Sequence, residues 1–259
     1  MKPRVAIFDM TSCDGCQTTI LNLEEYLVDI ANAVDIVNFR LGTEKVSPGP
    51  YDISIVEGSI SRQEEVKKIK WIRENSKTVI ALGACATHGG PQALSNRLNK
   101  KDIHKEIYGN IVPKLNSLDA KGIDQYIKVD HYIRGCPIDK FDFLNILKQF
   151  LIGKIPKENT NPVCVECRFN ENVCQFMELG ACLGPFTYGG CGAICPTNNL
   201  PCDGCRGALD DLNLEAGIRI MKKKNIGDDK IKALFRKYVP SDKRYEKFEE
   251  MLKNVNNKT

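Results

Sequence analysis

The chain has 259 residues, of which 42% are hydrophobic and 27% charged, a composition typical of a folded globular protein and not of a disordered one. Its formal net charge of +4 is too weak for a protein whose main ligand is the phosphate backbone of a nucleic acid. No apolar run reaches the length of a transmembrane helix and the N-terminus lacks the pattern of a secretory signal, so we expect a cytoplasmic protein without a transmembrane segment.

The first 160 residues predict strands that alternate with helices. Apolar runs suited to buried strands lie at 5–10, 52–57, 78–82 and 126–129. Apolar residues at helical spacing follow three of these runs: Ile20, Leu23, Leu27, Ile30, Ala31 and Val34, then Val66, Ile69 and Ile72, then Phe141, Leu144, Leu147 and Leu151. The sequence SRQE at 61–64 has the form of a capping box before the second helix. This alternation predicts an α/β fold with a parallel sheet and helices on both of its faces.

The 12 cysteines are distributed unevenly and divide the chain into three segments. Residues 1–163 contain four of them, residues 164–205 contain eight, and none follows. In a chain without an export signal, cysteines at this density more often bind metal than form disulfides. We therefore predict an α/β domain at 1–160, a cysteine-rich domain at 161–207 and a helical tail at 208–259.

The first four cysteines each follow a predicted strand or lie close behind one. Cys13 and Cys16 form a C-x-x-C after the first strand, Cys85 follows the run at 78–82, and Cys136 follows the run at 126–129. Loops that leave the carboxyl ends of parallel strands share one edge of the sheet, where open α/β folds bind ligands. Four thiols that are distant in sequence are therefore expected to meet at this edge. Taken alone, a cysteine such as Cys85 is more often a small buried hydrophobic residue.

The eight later cysteines divide into two sets of four, and their spacing leaves two kinds of metal open. Zinc also takes sites of four thiolates, but zinc ribbons use two short C-x-x-C knuckles for each ion. Here the spacings are irregular, and Cys195 precedes a proline, a step found in cluster ferredoxins. The spacing favours iron–sulfur clusters over zinc, and three clusters would use all 12 cysteines.

The cysteines and the residues around them resemble a known family, the small subunits of NiFe hydrogenases. The closest resemblance is to the cytosolic archaeal type, represented by the delta subunit of sulfhydrogenase and its F420-linked, gamma-like relatives. The motifs that carry it run through nearly the whole chain: TSCDGCQ at 11–17, VEGS at 56–59, ALGACA at 81–86, RGCP at 134–137, PVCVECR at 162–168, CLGP at 182–185, GC at 190–191, CP at 195–196 and PCDGCRG at 201–207.

This resemblance implies a flavodoxin-like domain without flavin, a mostly irregular cluster module and three 4Fe-4S clusters. The ligands it implies are Cys13, Cys16, Cys85 and Cys136 for the proximal cluster, Cys164, Cys167, Cys174 and Cys182 for the distal cluster, and Cys191, Cys195, Cys202 and Cys205 for the medial cluster. Cysteines close to one another can exchange partners between clusters, so the last two sets are also open to a different division. The membrane-linked type has histidine in place of Cys164 and no counterpart of Cys195. Full thiolate ligation favours 4Fe-4S clusters and lowers the distal reduction potential.

The activity implied by the resemblance is electron transfer during reversible oxidation of H2. The NiFe site belongs to a separate large subunit, so this chain would supply no catalytic residue. Its electrons would pass from the proximal to the medial and distal clusters, and then to a flavin- or ferredoxin-like subunit. A low-potential route of this kind suits a nicotinamide or deazaflavin acceptor.

Other functions and roles stay open at this point. A stand-alone iron–sulfur carrier of another oxidoreductase is one alternative, and a relative of the cluster subunit of respiratory quinone reductase is another; that relative is expected to have adjacent cysteines where Cys13 and Cys16 are separated by two residues. A zinc-stabilised nucleic-acid-binding module is disfavoured by the weak net charge. Glu57 either simply ends a strand or shapes the proximal site.

Overall fold

A computed structural model describes residues 2–111 and 117–237, together with Phe248, Met251, Leu252 and Val255 of the C-terminal segment. The chain forms two compact units, Met1–Glu158 and Asn159–Thr259. None of the described helices is long and apolar enough to cross a membrane.

The first unit is built on a parallel sheet of five strands in the order β2-β1-β3-β5-β7. These strands are β1 (Arg4–Asp9), β2 (Asp35–Phe39), β3 (Tyr51–Glu57), β5 (Ser76–Leu82) and β7 (His131–Ile133). A separate antiparallel pair consists of β4 (Ile60–Arg62) and β6 (Ser117–Lys121). The predicted α/β class with a parallel sheet is confirmed.

The central strands are buried on both faces, which is why they appear in the sequence as nearly continuous apolar runs. One face packs against a hydrophobic cluster that includes Ile55 and Leu82, and the other against a cluster that includes Val56 and Ala81. The helices of this unit are α1 (Gly15–Leu21), α2 (Leu27–Ala33), α3 (Gln63–Glu74), α4 (Gly83–His88), α5 (Lys100–Tyr108) and α6 (Lys140–Leu151). The predicted apolar faces of α3 and α6 are confirmed as the faces that pack into the core, although Phe141 of α6 is exposed.

The strand predicted at 126–129 is wrong in position. These residues follow a 3-10 turn at Ile123–Gln125, and the strand is β7, five residues later. Strand pairing decides this position, because Ile80, Ala81 and Leu82 of β5 pair with the three residues of β7. Cys136 still follows the end of the strand, so the prediction that depended on it is unaffected.

The single helix predicted between Ile20 and Val34 is also wrong. It is divided into α1 and α2 by a 3-10 turn at Glu24–Tyr26. Leu23 keeps its predicted burial, so the apolar spacing indicated a buried face without indicating the break. Strand β2 follows directly and was not predicted from the sequence.

The capping box before α3 is displaced by one residue from its predicted place. The carboxylate of Glu65, not that of Glu64, accepts hydrogen bonds from the backbone N–H groups of Ser61 and Arg62, at 2.9 and 3.0 Å. Glu65 is buried whereas Glu64 is exposed, so tertiary packing selects between two adjacent glutamates that the pattern could not separate.

The second unit contains short helices and long irregular stretches before its last two helices. The short helices are α7 (Val163–Phe169), α8 (Gln175–Leu179) and α9 (Ile194–Thr197), and the last two are α10 (Leu214–Lys223) and α11 (Asp228–Arg236). A single hydrophobic cluster joins the cysteine-rich segment, through Val163 and Leu183, to Ile218 and Phe235 of the last two helices. The rest of the predicted tail, at 238–247, 249–250, 253–254 and 256–259, lies outside the described residues.

Candidate metal centres

Four neighbouring strands end in register at one edge of the sheet. Asp9 of β1 pairs with Glu57 of β3, Glu57 pairs with Leu82 of β5, and Leu82 pairs with Ile133 of β7. These residues are the last of their strands, and all the strands are parallel. The loops that follow them therefore leave the sheet from one row, at the edge where open α/β folds place their ligands.

Four cysteines lie just beyond this row, and we call them the first thiol group: Cys13, Cys16, Cys85 and Cys136. Cys13 is exposed, Cys136 is half-buried, and Cys16 and Cys85 are buried. The backbone N–H of Ala84, beside Cys85, donates to the carbonyl of Gly135, beside Cys136, at 2.7 Å. This bond joins the two segments that carry these cysteines.

Glycines let the backbone approach two of these sulfurs closely. A Cβ atom placed on Gly83 would lie 2.4 Å from Cys16 Sγ, and one on Gly90 would lie 2.8 Å from Cys85 Sγ. Both glycines have positive φ, at 80° and 56°, which side chains of L-residues rarely tolerate. These contacts require glycine at both positions.

Glu57 is a buried carboxylate that contacts the first thiol group. It accepts hydrogen bonds from the backbone N–H groups of Cys16 (3.0 Å) and Gln17 (3.2 Å) and from the side-chain amide of Gln17 (2.9 Å). It fixes the C-x-x-C segment to the end of β3. The three N–H donors satisfy both oxygens of this buried carboxylate.

The thiols of this group interact electrostatically with one another. Burial raises the pKa of Cys85 to about 12, and Cys136, Cys13 and Glu57 add to the rise. Burial, followed by Glu57, raises the pKa of Cys16, and Cys85 and Cys136 contribute further. For Cys136, burial and then Cys13 raise the pKa. A cationic centre would relieve both the desolvation and the repulsion of these thiolates, so the donor set fits a metal or an iron–sulfur core.

A second thiol group lies in the second unit and consists of Cys164, Cys167, Cys174 and Cys182. A Cβ on Gly184 would lie 3.3 Å from Cys164 Sγ and 3.5 Å from Cys182 Sγ. Burial raises the pKa of Cys164 to about 12, with Cys182, Cys167 and Cys174 adding to the rise. The structure therefore places Cys164 close enough to the other three thiols for each of them to raise its pKa.

The family resemblance implies one more ligand set, which we call the third thiol group: Cys191, Cys195, Cys202 and Cys205. Burial raises the pKa of Cys202 strongly, and Cys182, Cys205 and Cys191 add to the rise. Burial and then Asp203 raise the pKa of Cys195, whereas Lys237 lowers it, and no other cysteine contributes to this shift. The backbone N–H of Cys202 donates to Cys182 Sγ at 3.2 Å, so the second and third groups adjoin each other.

Within the described ranges, no group of three or more His, Cys, Asp or Glu side chains is placed to hold a single metal ion. In a four-iron core each thiolate binds a different iron, so the sulfurs stand further apart than around one zinc ion.

Two charged residues near the thiols were not singled out by sequence reasoning. Glu166 lies within the C-x-x-C of Cys164 and Cys167, and its carboxylate accepts hydrogen bonds from the backbone N–H groups of Gly190 and Ala193. Arg206 follows Cys205 directly and is buried. Their adjacency to cysteines was the available signal, but only the structure shows that they contact the loop of Cys191.

The comparisons with known proteins agree with this architecture. A family model described as "NADH ubiquinone oxidoreductase, 20 Kd subunit" matches residues 13–150, a span that contains the whole first thiol group. The delta subunit of sulfhydrogenase 2 from Pyrococcus furiosus is 36% identical over 220 residues, which cover 85% of this chain and 92% of that protein. A subunit of the F420-non-reducing hydrogenase vhu from Methanocaldococcus jannaschii is 33% identical over 238 residues, covering 80% of this chain and 82% of that protein.

Solved structures show the same fold. A chain of an NAD+-reducing NiFe-hydrogenase superposes with a TM-score of 0.57 at 25% identity, covering 61% of this chain and 95% of that one. A chain of the actinobacterial-type NiFe-hydrogenase from Ralstonia eutropha gives a TM-score of 0.55 at 14% identity, covering 99% and 90%, which supports the fold alone. The first domain therefore has the flavodoxin-like α/β fold of hydrogenase small subunits.

The chain belongs to the small subunits of NiFe hydrogenases, of the archaeal type. The resemblance inferred from its motifs is confirmed, and with it the role of a non-catalytic, electron-transfer subunit of an oxidoreductase that works with a large subunit. The family model is named after the quinone-reductase subunit, but both relatives reported above, which match four-fifths of the chain or more, are named as hydrogenase subunits.

The close approach of Gly83 to Cys16 gives a first prediction. Gly83→Ala places a methyl group against Cys16 Sγ, so we expect the purified protein to lose about one cluster's worth of iron. Gly153→Ala is the matched control, because Gly153 also has positive φ (74°) but no atom within 4 Å of the added Cβ. Iron analysis of both variants makes the comparison. Full iron content in Gly83→Ala would show that the contact does not govern the site.

The raised thiol pKa values give a second prediction. In the metal-free chain, Cys85 and Cys164 are expected to react with an alkylating agent at half their maximal rate only as the pH approaches about 12. An ordinary thiol reaches this point near its usual pKa of 9.0. The sign follows from burial, which favours the neutral thiol, so metal ligation near neutral pH must release protons. Mass spectrometry of each cysteine against pH measures this, with the urea-unfolded chain as control; a midpoint near 9 in the folded chain would contradict it.

Proposed function

We propose that this chain conducts electrons between the NiFe site of a hydrogenase large subunit and a flavin- or ferredoxin-like subunit during reversible H2 oxidation. Three 4Fe-4S clusters would serve as the carriers, one for each thiol group. The observation that supports this most strongly is the first thiol group, whose four thiols come from three separate segments that the strand register brings to one edge of the sheet.

The proposed ligands follow the three thiol groups. The first group would hold the proximal cluster, the second the distal cluster and the third the medial cluster. When bound, iron–sulfur clusters supply one-electron carriers whose potential depends on ligand charge, hydrogen bonding and solvent exposure. The mutual electrostatic interactions within the first and second groups support their membership. Cys202 contacts Cys182, so the second and third clusters would adjoin each other.

The residues around the thiols would hold their sulfurs in place. Glu57 and Gln17 anchor the C-x-x-C segment of the first group, and Gln92 accepts a hydrogen bond from Cys85 Sγ at 3.1 Å. In the second unit, Glu166 anchors the loop of Cys191. Anchored ligands change position little when the charge of a centre changes, which favours rapid electron transfer.

The partner and the compartment are proposed from the relatives. The P. furiosus relative is named as a sulfhydrogenase subunit and the Cupriavidus necator relative as the delta subunit of an NAD-reducing hydrogenase. A nicotinamide- or deazaflavin-linked flavin subunit is therefore the partner we propose for the outer end of the route. The same relatives support a cytoplasmic location. Stand-alone electron carriage is less well supported, because those relatives are each named as subunits of a hydrogenase.

Replacement of single ligands in the complete enzyme tests this function. The tagged chain, purified anaerobically from its own host, is expected to bring a nickel-containing large subunit and to reduce benzyl viologen with H2. Cys85→Ser and Cys136→Ser should lower that rate at least about tenfold, because each removes a ligand from the first thiol group. Retention of the large subunit in both variants is the control for assembly. An assembled variant with the rate of the unmodified complex would show that these cysteines do not hold the proximal cluster.

A further inference from the structure

A buried guanidinium lies against the loop of the third thiol group. Arg206 follows Cys205 and is only 5% exposed. Its Nε donates to the carbonyl of Gly189 at 2.8 Å. Arginine stays charged at every pH at which proteins are folded, so the fold places a permanent positive charge here.

The backbone is shaped to admit this side chain. A Cβ on Gly190 would lie 2.4 Å from Arg206 Nη2 and 3.0 Å from its Cζ, and Gly190 has a φ of 110°. No other residue type can occupy this position without moving the guanidinium. The loop of Cys191 is thus built around Arg206.

The charge of Arg206 lies beside the segment that carries Cys191. The guanidinium packs against Gly190, the residue before Cys191, and donates to the carbonyl of Gly189. The carboxylate of Glu166 accepts hydrogen bonds from the backbone N–H groups of Gly190 and Ala193 in the same loop. Asp203 and Lys237, another charged pair near this group, are joined at 2.7 Å and about half exposed, so their charges offset each other. Of the two charged side chains described on the loop of Cys191, Arg206 is the more buried, since Glu166 is half-buried.

The first thiol group has a buried charge of the opposite sign. Glu57 is 1% exposed, and its carboxylate accepts hydrogen bonds from the backbone N–H groups of Cys16 and Gln17. The two thiol groups therefore differ in the sign of their buried counter-charge.

Such a difference acts directly on reduction potential. Reduction adds one negative charge to a centre, and a buried cation stabilises that charge whereas a buried carboxylate opposes it. Inside the protein this effect is only weakly screened, in contrast to that of an exposed charge.

We propose that Arg206 raises the reduction potential of the centre held by the third thiol group, while Glu57 lowers that of the first, so that buried charges order the two potentials. This inference rests on the proposed function, because it requires clusters in both groups. It assigns the ordering to two side chains that are not ligands.

Redox titrations of the complete complex, followed by electron paramagnetic resonance, test the proposal. Arg206→Gln should lower the reduced-to-oxidised ratio of one cluster about tenfold at a fixed ambient potential. For a one-electron couple, this corresponds to a reduction potential lower by about 59 mV. Arg206→Lys keeps the charge and should restore most of the shift. Glu57→Gln should raise the potential of a different cluster. Arg168→Gln is the matched control, since Arg168 is next to Cys167 but exposed, and it should leave all the potentials within a small fraction of that shift.

The outcomes separate this inference from the proposed function. Absence of clusters in the unmodified complex would overturn the proposed function itself. Clusters with unchanged potentials in Arg206→Gln, or an equal shift in Arg206→Lys, would overturn only the role of Arg206. Arg206→Met is a second neutral variant, should glutamine prevent folding. Loss of iron from both neutral variants with retention in Arg206→Lys would assign the residue to assembly and would also overturn the inference.

Discussion

The in-register ending of four parallel strands is the constraint on which the first metal centre depends. Asp9, Glu57, Leu82 and Ile133 form one row across the sheet, so the loops after them begin side by side although they are distant in sequence. A shift of one strand along its neighbour would move its loop away from the others and turn its side chains to the opposite face. The apolar packing that fixes this register is therefore also what gathers the thiols.

The second unit positions its cysteines without a sheet. Its cysteines lie on short helices and irregular loops. These are fixed by backbone hydrogen bonds to side chains, as to Glu166, and by close glycine contacts, as at Gly184. The hydrophobic cluster around Ile218 and Phe235 supports this segment from α10 and α11. Desolvation raises the pKa of most thiols in both units, so each unit places buried sulfur donors where a cationic core would stabilise them.

The sequence predicted the fold class, the edge position of the first four cysteines and the family, because buried parallel strands and motif spacing are local signals. It misplaced β7 and missed β2, because strand pairing with β5 and β1 decides those positions and leaves no periodic mark on such short runs. It indicated Glu57 but could not show its three donors, and it passed over Arg206 because a buried charge cannot be told from an exposed one by its neighbours in sequence. The grouping of the cysteines into three ligand sets stays a prediction from the family resemblance.

The most direct measurement of the central claim is the content of iron, acid-labile sulfide and zinc in the anaerobically purified chain. Three four-iron clusters predict about 12 iron and about 12 sulfide for each chain, with no stoichiometric zinc. Zinc in place of iron, or iron sufficient for a single cluster, would contradict the account, since the 12 cysteines could then not form three iron–sulfur centres.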